Sequence, residues 1–216
     1  MLTEIIKVNP KNPERKIIKL AADIMRRGGI VAFPTETVYG LGADPFNARA
    51  VRKLFRAKNR RADKPVSILV CNDSDVKRIA VTIPKSARVL IDEFFPGALT
   101  VILKKKKEFS DILTGGKNTI GIRMPDSKIA RALIKEFGGP IAATSANISG
   151  SNKEATSALS VVKELNGKVP LVLDGGKSKV GVPSTVIDFT GQPPKIIRAG
   201  GISRSRIEKI IGRVEV

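Results

Sequence analysis

The chain reads as an α/β protein, α+β by the strictest definition, forming one domain over residues 1–216. Three observations predict this. Short apolar runs of strand length alternate with segments of helical periodicity from one end to the other. Glycines and capping residues mark the changes of pattern. No internal repeat and no Ser/Gly/Pro linker breaks the alternation.

Over 14–27, Ile17, Leu20, Ala21, Ile24 and Met25 fall on one helical face, and Gly28-Gly29 supplies the stop. The run 30–33 is then a buried strand that delivers a loop at Pro34. Asn47 caps a second helix carrying Val51, Leu54 and Phe55, which leads into the basic segment 56–64. Further strands are expected over 66–71, 99–103, 119–123, 141–144, 171–174, 185–189 and 195–198. Helices are expected near 73–80, 84–94, 127–137 and 157–165, with one basic helix close to the C-terminus. Strands crowd together at the end, which predicts a mixed rather than a purely parallel sheet.

Composition removes several function classes. The chain has no histidine, so Ser-His-Asp and Cys-His hydrolases and histidine-bearing zinc sites are excluded. Its single cysteine, Cys71, lies in a strand-like run and reads as a packed, inert thiol. Dinucleotide and Walker-type glycine loops are absent. No apolar run is long enough to span a bilayer and the first residues lack a signal-peptide core, so a cytoplasmic protein without membrane contact is expected. Lys and Arg outnumber Asp and Glu by 39 to 20, and the resulting charge of +19 draws in nucleotides, RNA or other anions.

The segment Pro34-Thr35-Glu36-Thr37-Val38-Tyr39-Gly40-Leu41-Gly42 crowds hydroxyls beside glycines after a strand. In an extended backbone Thr35 and Thr37 face one side with Glu36 opposed. Ala143-Thr144-Ser145-Ala146-Asn147-Ile148-Ser149-Gly150 has the same character, with Ser145, Asn147 and Ser149 alternating along one side. Two such loops are expected to wall one polar site, although turn-forming and capping roles account for these residue types as well. Lys58 and Arg60 combine a point charge with a planar fork, the pair a phosphate chain needs, and a solvated basic turn is the alternative. Arg123, at the end of the strand that begins at Thr119, can clamp a carboxylate or snorkel over the sheet edge. Lys104-Lys105-Lys106-Lys107 reads as a solvated hairpin or loop, and without interleaved aromatics it makes no base-stacking platform.

In order and spacing, these segments, with Pro183-Ser184-Thr185 and Arg198-Ala199-Gly200, resemble the YrdC-type threonylcarbamoyl-AMP synthase family from about residue 14 to about residue 211. The resemblance is to the single-domain form, and it implies a twisted mixed sheet curved around an open concave cavity. It implies a reaction of L-threonine, bicarbonate and ATP, with Mg²⁺, giving threonylcarbamoyl-AMP and pyrophosphate for modification of tRNA by a separate transferase. Carried over to this chain, it places ATP on Lys58, Arg60, Thr119, Ser145, Asn147 and Arg198, with Lys58 and Arg60 catalytic. Threonine falls to Thr35, Arg123 and Ser184. Many relatives have proline after the arginine of the Lys-x-Arg pair; this chain has Arg61, which leaves open which of Arg60 and Arg61 points inward. Asp44, Asp174 and Asp188 are equal candidates for a metal ligand, and no spacing selects among them.

Two alternatives follow from the same residues. A non-catalytic basic RNA-binding module accounts for the charge but leaves the Thr/Ser/Asn loops without a purpose. A carbamoyl-transfer enzyme of hydrogenase maturation contains a related domain, but the lone cysteine does not fit its cysteine-rich segments.

Overall fold

The computed structural model describes residues 2–216. Ten strands form one mixed sheet: β1 (Glu4–Lys7), β2 (Val31–Phe33), β3 (Gly40–Ala43), β4 (Ser67–Leu69), β5 (Leu99–Lys104), β6 (Thr119–Arg123), β7 (Ile141–Ser145), β8 (Leu171–Asp174), β9 (Thr185–Asp188) and β10 (Lys195–Arg198). Their spatial order is β1-β8-β2-β3-β7-β4-β6-β5-β9-β10. The pairs β1–β8, β2–β8, β4–β6 and β5–β9 are parallel and the others antiparallel, the mixed sheet that the sequence predicts.

Helices α1 (Arg15–Arg26), α2 (Ala48–Ala57), α3 (Asp73–Ile79), α4 (Lys85–Phe94), α6 (Lys128–Phe137), α7 (Ala158–Leu165) and α8 (Arg204–Ile211) fall where periodicity places them, joined by one short turn, α5 (Asp111–Thr114). Asn47 caps α2 by accepting from the amides of Arg49 and Ala50. The expected face of α1 departs at one position. Ala21 and Met25 are buried, Ile17 and Ile24 pack against the core and Ile18 and Ala22 join them, while Leu20 is exposed. Ile18, Ala21, Ala22 and Met25 share one core cluster with Ile129, Ala130, Leu133 and Ile134 of α6, against which α1 packs.

Two strands lie outside the expected set, one in a segment left unassigned and one in the stretch read as a loop. β1 adds to the outer edge beside β8, and β3 pairs antiparallel with β2 and β7. Gly40 and Gly42 hid β3 from propensity, yet Phe33 needs them. A Cβ on Gly42 would lie 2.7 Å from the Phe33 ring and one on Gly40 3.1 Å from it. The ring of Phe33 thus covers the bare backbone of its neighbour.

Strict alternation sorts the sheet residues between two cores. Ala32, Ala142 and Val172 join a large cluster with α2, α3, α4, α7 and α8. Val31, Phe33, Ile141, Leu171 and Leu173 join a smaller one beneath α1 and α6. That second helical layer covers only part of its face. Among the described residues, no helix is long and apolar enough to cross a membrane.

Lys105 departs from the solvated tetralysine run. Its mostly buried ammonium donates to Phe109 O at 2.6 Å and reaches Asp111 Oδ1 at 3.0 Å, tying the end of β5 to α5. Cys71 is partly buried, and burial pushes its thiol pKa up, away from reactive thiolate.

Candidate active site

Beyond the reach of α1 and α6, the same sheet face carries small and polar residues in place of an apolar stripe. Ile68, Val101, Ile120, Ile122 and Ile187 point into the large core. Their neighbours Ser67, Thr100, Gly121, Val186 and Asp188 line a cavity of about 340 Å³ on the opposite side. Gly121 forms part of its floor: a Cβ there would come 2.8 Å from Ser67 Oγ and 3.2 Å from Thr100 Cγ2.

Of the residues singled out from the sequence, Thr35, Arg60, Thr119, Arg123, Ser145, Ser184 and Arg198 line this cavity. Arg61 points away, forking onto Asp63 at 3.0 and 2.9 Å with most of its side chain in solvent. Lys58 and Asn147 do not line it. The chain bends after Ser145, so Asn147 leaves the side on which Ser145 and Ser149 were expected to join it. Asn147 Oδ1 instead accepts from Ser145 Oγ at 2.6 Å, and its Nδ2 donates to Lys153 O at 3.2 Å. Lys58, 1% exposed, donates to the carbonyls of Ser145 and Asn147. Burial, then the charge of Arg60, pulls its pKa down to about 7, with Glu164 and Glu154 opposing.

The threonine loop is also more folded than an extended strand. Thr35 and Thr37 do share a side, their Oγ1 atoms 2.9 Å apart, and Thr35 Oγ1 donates to Val38 O at 2.6 Å. Glu36 is not turned away. Its Oε1 accepts from Arg123 Nη2 at 2.7 Å, its Oε2 accepts from the Asp126 amide at 3.1 Å, and the ion pair is about nine-tenths buried. The segment after β8 straps this loop down: Gly176 O accepts from Tyr39 Oη at 2.7 Å, and the Val180 and Gly181 amides donate to Glu36 O and Thr37 O. Tyr39 is buried, and burial followed by the nearby Asp174 charge raises its phenol pKa, which keeps it a neutral hydrogen-bond donor.

The three arginines of the cavity share one arrangement. Arg60 gives Nε to Lys64 O and Nη2 to Pro65 O, at 3.1 and 2.7 Å. Arg198 gives Nε and Nη2 to Ser184 O at 3.2 and 2.8 Å, with Nη2 also 3.2 Å from Ser184 Oγ. Arg123 gives Nε to Gly97 O at 3.1 Å and Nη2 to Glu36 and Thr37. Each fork is pinned along one edge, and its Nη1 has no hydrogen bond to another described residue. The charges crowd one another. Burial, then Arg198, lowers the pKa of Arg60; burial also lowers that of Arg198, with Glu154 opposing and Arg123 adding to the effect. Guanidiniums held together at such cost favour an anion between them.

Gly200 explains the third residue of the Arg198-Ala199-Gly200 segment. A Cβ there would meet Pro183 O and the backbone around Ser184 at 2.4 Å, so only glycine lets this turn lie against the Ser184 loop that Arg198 grips. Sequence reasoning missed Lys117, which lines the cavity from the turn after α5, and it misplaced Glu36. The paired glycines before Lys117, both with positive φ, were the available sign of a tight turn presenting a side chain. Of the metal candidates, Asp188 lines the cavity, Asp44 caps the turn at Phe46, and Asp174 accepts from Tyr39 and the Gly176 amide.

Comparison with known proteins finds relatives over most of the chain. The Sua5/YciO/YrdC family model, described as telomere recombination, matches residues 23–200. A threonylcarbamoyl-AMP synthase of Pyrococcus abyssi is 44% identical over all of this chain and 63% of its own length. One from Bacillus subtilis is 43% identical over 92% of this chain and 58% of its own. The crystal structure of P. abyssi Sua5 complexed with L-threonine superposes with a TM-score of 0.94 at 44% identity, covering 99% of this chain and 63% of that one. The chain thus spans about three fifths of the length of these relatives. With the family match extending through the sheet that carries the cavity, the chain belongs to the Sua5/YciO/YrdC family.

Proposed function

We propose that this chain forms threonylcarbamoyl-AMP and pyrophosphate from L-threonine, bicarbonate and ATP. The observation that carries the reading is the set of three arginines, Arg123 buried, Arg60 half-buried and Arg198 more open, each pinned along one edge with Nη1 unspent, in a cavity also lined by hydroxyls. That pattern suits two anionic substrates that must be brought together against their own repulsion.

Arg123 offers its free edge to the threonine carboxylate, beside Thr35 and Ser184. Ser184 is oriented for this by Thr100, their hydroxyls 2.8 Å apart. Arg60 and Arg198 take the phosphates, while Thr119 and Ser145 position the nucleotide and Lys117 stands at the cavity wall. Bicarbonate gives carbon dioxide and hydroxide; the carbon dioxide adds to the neutral threonine amine, and the proton the nitrogen loses joins the hydroxide as water, leaving an N-carboxylate. One of its oxygens attacks the α-phosphorus, the bond from that phosphorus to the bridging oxygen breaks, and pyrophosphate leaves with the electron pair. The nucleophile is already anionic, so a chain without histidine needs no strong base; its work is positioning and charge neutralisation.

Mg²⁺ would arrive with ATP and neutralise charge on phosphate oxygens. Among the described residues no group of three or more acidic, Cys or His side chains could cage an ion, and Asp188 is the carboxylate lining the cavity. That donor set fits an ion held mainly by phosphates and water with at most one protein carboxylate. The product is an activated carbamate, which a separate transferase would consume by presenting the adenosine amine of a tRNA.

The test is pyrophosphate release from ATP and Mg²⁺, with threonine and bicarbonate supplied singly or together and serine for comparison. Release that needs both and favours threonine supports the reading. No release from folded protein overturns it and leaves RNA binding as the role to examine.

A further inference from the structure

Lys58 and Arg60 are two residues apart, yet they face different directions. Asn59 between them has φ of +50°, a left-handed turn that asparagine tolerates better than most residues. It closes α2, so the Arg60 amide reaches back to Phe55 O at 2.9 Å. Arg60 then enters the cavity while Lys58 is driven behind its wall.

There the Lys58 ammonium meets three acceptors: Ser145 O, Asn147 O and, at 3.4 Å, Asn147 Oδ1. An ammonium has three N–H donors, and this environment occupies all of them. The Lys58 carbonyl accepts from the Ser149 amide at 2.8 Å, so both ends of the residue grip the same loop. From the other side Glu164 of α7 accepts from the Ile148 amide at 2.6 Å and from Ser151 Oγ at 2.7 Å.

We propose that Lys58 is a positioning residue, which anchors the 145–151 loop from behind and so sets where Ser145 meets the nucleotide, without itself touching phosphate. The proposal rests on reading the cavity as a nucleotide site. Glu164 is its counterpart on the far side of the loop.

Two variants test it by hydrogen–deuterium exchange in ligand-free protein, followed by ATP titration. Lys58→Met keeps the length of the side chain and removes its donors. In a folded variant the Ile148 and Ser149 amides should exchange about tenfold faster or more, while those of α1 stay protected. Glu164→Gln lies outside the cavity and keeps only one good acceptor. It should loosen the same amides to a lesser degree and raise the KM for ATP more than it lowers kcat. Weakened ATP binding with loop exchange unchanged in Lys58→Met would place the ammonium on phosphate and overturn the proposal. If Lys58→Met does not fold, Glu164→Gln decides: unchanged loop exchange and unchanged KM refute it. Exchange needs no substrate, so a failure of the synthase reading leaves this result standing by itself.

Discussion

Replacing Glu36 by Gln probes the link between the threonine loop and the anion cavity. The carboxylate accepts from two donors, Arg123 Nη2 at 2.7 Å and the Asp126 amide at 3.1 Å, with both side chains of the ion pair about nine-tenths buried. A glutamine has one acceptor oxygen, so its NH₂ must face either Arg123 or the Asp126 amide, donor against donor. Arg123 meanwhile keeps a buried charge without its counter-ion. Removing one partner of a buried pair costs about 3–5 kcal/mol. For a chain of this size each kcal/mol moves the melting temperature by roughly 2–4 °C, so a fall of about 6–20 °C is expected in calorimetry near neutral pH. The unpaired guanidinium should also make carboxylate ligands more stabilising, so saturating threonine recovers more of the lost temperature in Glu36→Gln than it adds to the parent. A fall below about 2 °C would refute the reasoning, because it would mean that Arg123 does not depend on Glu36 for its charge balance.

Arg60→Ala should lower turnover by about 10²-fold or more, because an oriented charge donor to a developing anion is worth that much, whereas Arg61→Ala should leave kcat/KM within about twofold. Equal losses in the two variants would contradict the outward fork of Arg61 onto Asp63. Stability should also depend on pH through Lys58, whose burial and proximity to Arg60 outweigh Glu164 and Glu154 in lowering its folded pKa to about 7 from an ordinary 10.5. Between those values the unfolded chain binds more protons than the folded one. This contribution to stability therefore rises with pH above 7, by at most about 1.4 kcal/mol per pH unit, and is lost as pH falls back through 7. Urea denaturation from pH 7 to about 8.5, compared with Lys58→Met, isolates it; identical slopes in the two proteins would argue against the shifted pKa.

Most regular elements were legible because their signals are local. The period of α2, its Asn47 cap and the apolar alternation of β6 lie within a few residues of one another. β3 was not legible, because Gly40 and Gly42 have poor strand propensity and the reason for them is a ring on the adjacent strand. On α1 only Leu20 of the expected apolar face turned out exposed, because the apolar positions span more of the helix than the core covers.

The sequence by itself determined the alternation of strand and helix, the exclusion of imidazole chemistry, the family resemblance and the segments that carry the polar residues. Only the tertiary structure decided how neighbouring side chains divide between wall and cavity. It puts Arg60 inward and Arg61 outward, Ser145 on the cavity and Asn147 behind it, and Glu36 against an arginine 87 residues away. The physical reason is one of range. Periodicity and capping are satisfied within a turn or a strand, whereas the direction of a loop side chain is set by partners that only folding brings within hydrogen-bond reach.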